Sequence, residues 1–306
     1  MNANRFEWLQ PPFHFGQPPG EVQTCTQEPA LVARPAKGKP QIAALPNDAF
    51  LELAELNPSS PEQILEFANR HGWLTSPRLS IIPVNKGHGG ARAEAIEGEL
   101  HSDWSQAIRR MRRCATVWQA VKTHDAEALR KLFHRVDAHR LEYLGSKRII
   151  GGVAVYDGAE SLDFPEVLKE NDPTDWATAY LIKTINKHRA GQVMLVLQRD
   201  PESGIIGELN RPSSLHAALW QQFAHAVIAN ASIRPCDECG KFMLITLGEH
   251  RTNRRTCSYA CRARIYHSRK QDARAMRQEK IPLKEIAARL DTSVAQIKKW
   301  TESASS

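Results

Sequence analysis

A chain of 306 residues with 42% hydrophobic and 25% charged residues has the balance of an ordinary globular protein, long enough for one large domain or two smaller ones. No run approaches the roughly 18 uninterrupted apolar residues of a membrane helix, and the opening MNANRFEWLQPPFHFGQPPG has no charged segment followed by an apolar one; a cytoplasmic protein without membrane association is expected. The net charge of +7 is uneven: residues 234 to 306 hold 16 Lys+Arg against 8 Asp+Glu, which from totals of 41 and 34 leaves 25 and 26 before them. The pattern is that of a neutral body carrying a tail suited to a polyanion.

Residues 1–46 hold eight of the 18 prolines, including Pro11-Pro12 and Pro18-Pro19, and read as an extended, partly irregular arm whose Phe6, Trp8, Phe13 and Phe15 pack against the body. Residues 47–230 read as an α-rich α+β body. In SSPEQILEFANRHG, Ser60 is an N-cap, Pro61 the first helical residue, Gln63 the partner in a capping box and Gly72 the stop. Trp104, Ile108, Met111, Ala115 and Trp118 recur every three or four residues, the mark of one buried helical stripe. Helical character resumes after Thr123 through Leu129, Leu132, Phe133 and Val136, and Asp175 is placed to cap a further helix. RIIGGVAVY and QVMLVLQ predict strands, and SSLHAALWQQFAHAVIA returns to helix.

The body carries no catalytic signature, so no enzyme is expected. NKGHGG at 85–90, with His88, lacks the phosphate-loop lysine and its strand–helix setting and reads as a turn. The remaining body histidines have no ligand spacing, and Cys25 and Cys114 stand alone, Cys114 inside the Trp104–Trp118 helix.

The other four cysteines fall in two pairs, Cys236-x2-Cys239 and Cys257-x3-Cys261, separated by 17 residues. Two thiols two residues apart can be aimed at one point by a tight turn, and Gly240 directly after them tolerates positive φ. Cys257 and Cys261 share a face if a helix begins there. Between the pairs, a short hairpin turning near Gly248 fits. Four thiolates complete a tetrahedral shell with no position left for water, so one structural Zn2+ in a treble-clef-like layout is expected, with His250 and His267 as spare ligands. A tetrathiolate zinc has a formal charge of −2, and nearby basic residues serve equally well to balance it.

RARIYHSRKQDARAMRQEK continues as one helix of about five turns, with Tyr259, Ala263, Tyr266 and Ala273 on one stripe and arginines elsewhere. In IPLKEIAARLDTSVAQIKKW, Leu283, Ile286, Ala287 and Leu290 share one face. Asp291-Thr292 breaks the pattern, Ser293 caps, and a second helix buries Ile297 and Trp300. Two short helices joined by such a turn describe a helix-turn-helix. Arg254, Arg255, Arg264, Arg269, Lys270 and Arg274 are then candidate phosphate anchors. Ser293, Ala295, Gln296, Lys298 and Lys299 are candidate base-reading residues.

The last twenty of these residues resemble the widespread bacterial helix-turn-helix pattern "eIA..L.vS..tV..W", with Glu285-Ile286-Ala287, Leu290, Ser293, Ile297 and Trp300 on its marked positions; Asp291 stands where glycine is usual and Thr292 where an apolar residue packs. Residues 234–270 resemble the CGNR-type zinc fingers of bacterial transcription regulators through the Cys-x2-Cys knuckle, Arg254-Arg255-Thr256-Cys257-Ser258 and the final cysteine that opens a basic helix. Arg262-Ala263-Arg264 replaces their Gly-Asn-Arg. The resemblance implies a zinc finger over 234–280, a helix-turn-helix over 281–306 and a regulator that binds double-stranded DNA. Its body would then sense an unknown ligand or protein, and a homodimer would suit half-site recognition. Two other readings stand beside it: a zinc-stapled protein-interaction module whose charge balances the thiolates, and RNA binding by the basic helix.

Overall fold

Alternation of apolar residues two apart and stripes three to four apart both occur in this chain, and the computed structural model contains helix and sheet accordingly. It describes residues 4–9, 13–16, 24–26, 30–35, 45–75, 79–83, 96–150, 153–157, 159–199, 206–246 and 254–302. The chain divides into two units, residues 1–233 and 234–306.

The first unit begins with strands. The irregular arm expected over 1–46 gives way to β1 (Asn4–Leu9), β2 (Phe13–Gly16), β3 (Thr24–Thr26) and β4 (Ala30–Pro35). They join β5 (Leu79–Pro83) and β6 (Ile96–Leu100) in a six-stranded sheet of order β1-β4-β6-β5-β2-β3, antiparallel at every pairing. The alternation Phe6/Trp8 and Phe13/Phe15 is the period of a strand, and Pro11-Pro12 and Pro18-Pro19 fall between strands, outside the described residues.

The helices of this unit are α1 (Ala49–Glu55), α2 (Pro61–His71), α3 (His101–Lys122), α4 (Ala126–Leu132), α5 (Pro173–Arg189) and α6 (Leu215–Ile228). Ser60 Oγ accepts the Gln63 N–H at 3.4 Å, Pro61 is the first residue of α2, and Gly72 at φ +97° ends it. The Gln63 side chain differs from the expected box: its Oε1 accepts the Asn57 N–H at 2.8 Å, since the Ser60 N–H already donates to Asn57 O. The α3 stripe Trp104, Ile108, Met111, Ala115 and Trp118 is buried. It packs with Phe50, Phe67, Tyr180, Trp220 and Phe223 of the other helices, as in the edge-on contact of Phe67 with Trp104 and the tilted contact of Phe50 with Phe223.

Helical character does not extend past Leu132. Phe133 opens β7 (Phe133–Arg135), which pairs with β8 (Arg140–Tyr143), and Val136 is exposed. The β-former Phe133 completes a ring cluster with Tyr143 and Tyr180, a better burial than another helical turn provides. The predicted strand RIIGGVAVY is the hairpin of β9 (Ser146–Ile150) and β10 (Val153–Asp157), followed by β11 (Glu160–Asp163) on β8. The cap of α5 is Asp172, whose Oδ1 accepts the N–H of Thr174 and of Asp175; Asp175 lies inside the first turn. β12 (Val193–Arg199) pairs with β13 (Ile206–Pro212).

The second unit is smaller. β14 (Ser232–Pro235), within which the division falls, pairs with β15 (Phe242–Ile245); α7 (Tyr259–Gln278), α8 (Leu283–Arg289) and α9 (Val294–Glu302) complete it. Lys280 at φ +63° turns the chain out of α7 and Pro282 leads into α8. Ala273, Ile286, Ala287, Ile297 and Trp300 form the buried core of the three helices, with Met276, Ile281, Leu283 and Leu290 against it. No helix of the described residues is long and apolar enough to cross a membrane.

Candidate metal centre and basic helical surface

The first cysteine pair sits on the turn that joins β14 to β15. Cys236 N–H donates to Lys241 O at 2.8 Å and Gly240 N–H to Cys236 O at 2.9 Å, with Gly240 at φ +71°. The turn holds this position in a left-handed backbone that would strain any side chain, so the glycine after Cys239 has a conformational reason. A hairpin of β14 and β15 therefore closes across the knuckle itself; the turn expected near Gly248, and His250, lie outside the described residues.

The second pair straddles a helix start. Ser258 is the N-cap of α7, its Oγ accepting the Cys261 N–H at 3.2 Å. Cys257 precedes the helix and Cys261 lies in its first turn, so the two do not share a helical face as expected. Capping by Ser258 sets the boundary, and the bend at the cap is what turns Cys257 toward Cys236, whose Sγ accepts the Cys257 N–H at 3.4 Å.

All four sulfurs lie within 4.8 Å of one another. Cys239 and Cys257 Sγ are 3.6 Å apart, Cys257 and Cys261 Sγ 3.5 Å. A tetrahedral thiolate shell with bonds of about 2.3 Å has sulfur–sulfur edges of about 3.8 Å. The donor set thus has the size and number to hold a metal ion. Cys236 and Cys261 are buried, Cys257 half-buried and Cys239 exposed. Burial raises the Cys236 thiol, but the N–H groups of Cys239, Cys257 and Glu238 outweigh it and bring it down to about 6. The Cys257 thiol is pushed up to about 12, first by burial and then by the neighbouring thiols. Sulfurs this close cannot all ionise beside one another without a cation between them. His267 is exposed and outside this group.

Four of the six basic phosphate candidates have partners inside the unit. Arg254 donates to Thr256 O at 3.0 Å and Cys257 O at 2.5 Å. Arg255 donates to Asp237 at 2.6 Å and reaches Asp291 at 3.5 Å, and Asp237 N–H returns to Arg255 O. Arg264 bonds Glu238 at 3.0 Å and approaches Cys261 Sγ at 3.1 Å. Arg274 donates to Trp300 O at 3.0 Å. Arg269 and Lys270 are half-buried on α7 with no ion pair among the described residues. The acidic partners Asp237 and Glu238 do not stand out in the sequence by themselves, although two carboxylates inside a cysteine knuckle, with an Arg-Arg pair before the second cysteine pair, are the signal that finds them.

The face of α9 divides as its pattern predicts. Ile297 and Trp300 are buried; Ser293, Ala295, Lys298 and Lys299 are exposed, and Gln296 is half-buried. Ser293 Oγ accepts the Gln296 N–H at 3.2 Å. Lys298 pairs with Glu302 at 3.7 Å. Asp291, at the position where glycine is usual, takes φ +46°, the conformation that glycine would provide there and that Asp tolerates better than most residues. Thr292 N–H donates to Ala287 O at 3.0 Å. The Tyr259/Tyr266 stripe of α7 is not a buried one: Tyr259 is exposed and Tyr266 meets Trp300 edge-on while remaining 42% exposed; Ala273 alone is enclosed.

Scans against protein-family models, curated proteins and solved structures found no match to this chain.

Proposed function

We propose that the chain is a zinc-stabilised, double-stranded-DNA-binding transcription regulator of the bacterial CGNR-like kind. Its Zn2+ would be held by Cys236, Cys239, Cys257 and Cys261 in a treble-clef-like finger, with α8–α9 as a helix-turn-helix. Zinc suits four closely set thiolates, and a filled shell makes the ion structural. The observation that carries the DNA reading is the division of α9. Two large residues anchor it, while Lys298, Lys299 and the N-terminal Ser293 and Ala295 face outward, the arrangement of a helix offered to a major groove.

The internal partners of Arg254, Arg255, Arg264 and Arg274 change how the phosphate contacts are shared. These side chains hold the thiolate loops and the C-terminal helix together, which leaves Arg269, Lys270 and Lys299 as the principal anchors, joined by Lys298, whose exposed pair with Glu302 at 3.7 Å is weak enough to yield to a phosphate. The same observation favours the second reading, an interaction module whose charge balances the thiolates. The two separate in one experiment on the full chain. Under the DNA reading, Lys298→Ala and Lys299→Ala each weaken duplex binding and lower the salt slope by about one. Unchanged affinity in both variants would leave the interaction module as the better account.

A further inference from the structure

In the first unit, α3 carries four arginines in five residues, Arg109, Arg110, Arg112 and Arg113. Two of them serve the body itself. Arg112 donates to Ala54 O and Leu56 O. Arg113 lies 4.5 Å over the Tyr143 ring and 3.9 Å from Glu160. Arg110 is half-buried with no hydrogen bond or ion pair among the described residues, and it lines a cavity of about 380 Å³. That volume is at the lower end of small-molecule sites, which run to about 300–1,000 Å³.

Two side chains of the cavity wall keep donor capacity that no partner among the described residues takes up. Gln192 uses its Oε1 to accept from Ser213 Oγ at 3.0 Å, which turns its amide NH2 to other use. Ser214 Oγ accepts the Ala217 N–H at 3.1 Å as cap of α6, and its own O–H remains to donate. His216, also on the wall, accepts the Trp220 indole N–H at its Nε2. Burial, then Arg110, lowers its pKa to about 4, so it is neutral and Arg110 supplies the positive charge. Asp103 is the lining carboxylate, and it stands two turns from Arg110 on α3, about 10 Å along the axis. A half-enclosed guanidinium beside uncommitted amide and hydroxyl donors is the chemistry that receives an oxyanion.

We infer that this cavity is a binding site for a small-molecule oxyanion, a carboxylate or a phosphate, held by Arg110 with Gln192 and Ser214. The test is an amide-resolved NMR titration of the zinc-loaded full chain with succinate and, separately, inorganic phosphate, with chloride keeping ionic strength constant. Saturable shifts centred on Thr75, Gln192 and Ser214 are expected from at least one of the two, and which one identifies the class. Binding should weaken by about tenfold or more in Arg110→Gln, in keeping with the loss of a charge-assisted bond. Arg110→Lys, which keeps the charge, should lose less, and Arg109→Gln should bind as the parent does. No saturable shift at millimolar concentrations from either probe would overturn the proposal. So would shifts centred away from the cavity, a result readable on the parent chain even if Arg110→Gln fails to fold. Unaltered binding in a folded Arg110→Gln would do the same.

Discussion

The two units are stabilised by different means. The first buries Phe50, Trp104, Tyr180, Trp220 and Phe223 with a surround of aliphatic side chains, a core large enough to stand on apolar burial. Among the described residues, the apolar cluster of the second unit's helices is the small set Ala273, Ile286, Ala287, Ile297 and Trp300, and its knuckle gathers four sulfurs and a set of exposed arginine–carboxylate pairs. Surface ion pairs contribute little on their own. The contrast teaches where a metal would matter: a unit of 73 residues (234–306) with so small a helical cluster would lean on a cross-link through those sulfurs, whereas the body would not.

The largest expected effect comes from removing that cross-link. Structural zinc sites contribute about 10–16 kcal/mol of apparent binding free energy in small fingers. A strong chelator, or Cys257→Ser with Cys261→Ser, should therefore abolish amide protection in β15, α7, α8 and α9 and leave protection in α3 and α6 intact. Protection lost equally in both units would break the comparison.

Next in size are the two tryptophans. Trp220→Ala and Trp300→Ala each remove a buried indole and cost about 3–5 kcal/mol. Trp220→Ala should lower the melting temperature of a body that stays folded. Trp300→Ala should disorder α8 and α9 even with metal present, as far-UV circular dichroism and amide exchange would show.

A smaller effect separates the units by pH. His188, stacked on Trp220 at 4.5 Å, is lowered to about 3, first by burial and then by His216; His216 is lowered to about 4. Both are neutral in the fold where an unfolded histidine, ordinarily near 6.5, takes up protons. Stability from this pair is thus complete above about 6.5 and falls as pH drops toward about 4, since the unfolded chain binds more protons. Urea unfolding of the body from pH 7 to pH 5 should show that fall, and His188→Phe should roughly halve its slope. The smallest effect is Ser293→Ala, which removes the α9 cap and costs about 1 kcal/mol, read as fraying of α9 alone.

Local chemistry was the legible part of the sequence. The Ser60 cap and Gly72 stop of α2, the α3 stripe, the gathering of the two cysteine pairs and the burial of Ile297 and Trp300 each depend on residues a few positions apart, and the structure has them so, although Cys257 stands before α7 instead of on a shared face with Cys261 and Gln63 turns to Asn57 instead of closing the box. What depends on distant partners was not legible. Phe133 leaves the helical pattern because Tyr143 and Tyr180 receive its ring. The strands of residues 4–35 were masked by prolines between them. The hairpin lies across the knuckle because 232–235 pairs with 242–245, and Arg255 spans from Asp237 to Asp291, 54 positions apart in sequence. Arg110 differs from Arg112 and Arg113 only in what the fold sets beside it.

The most direct test of the central claim is duplex-DNA binding by the full chain, measured across a salt series on a random-sequence pool, with and without a strong zinc chelator. The account predicts binding that persists near 0.15 M salt, about the physiological level, selects particular sequences and is lost with the metal. Binding that is sequence-blind, erased at that salt and indifferent to the chelator would contradict it.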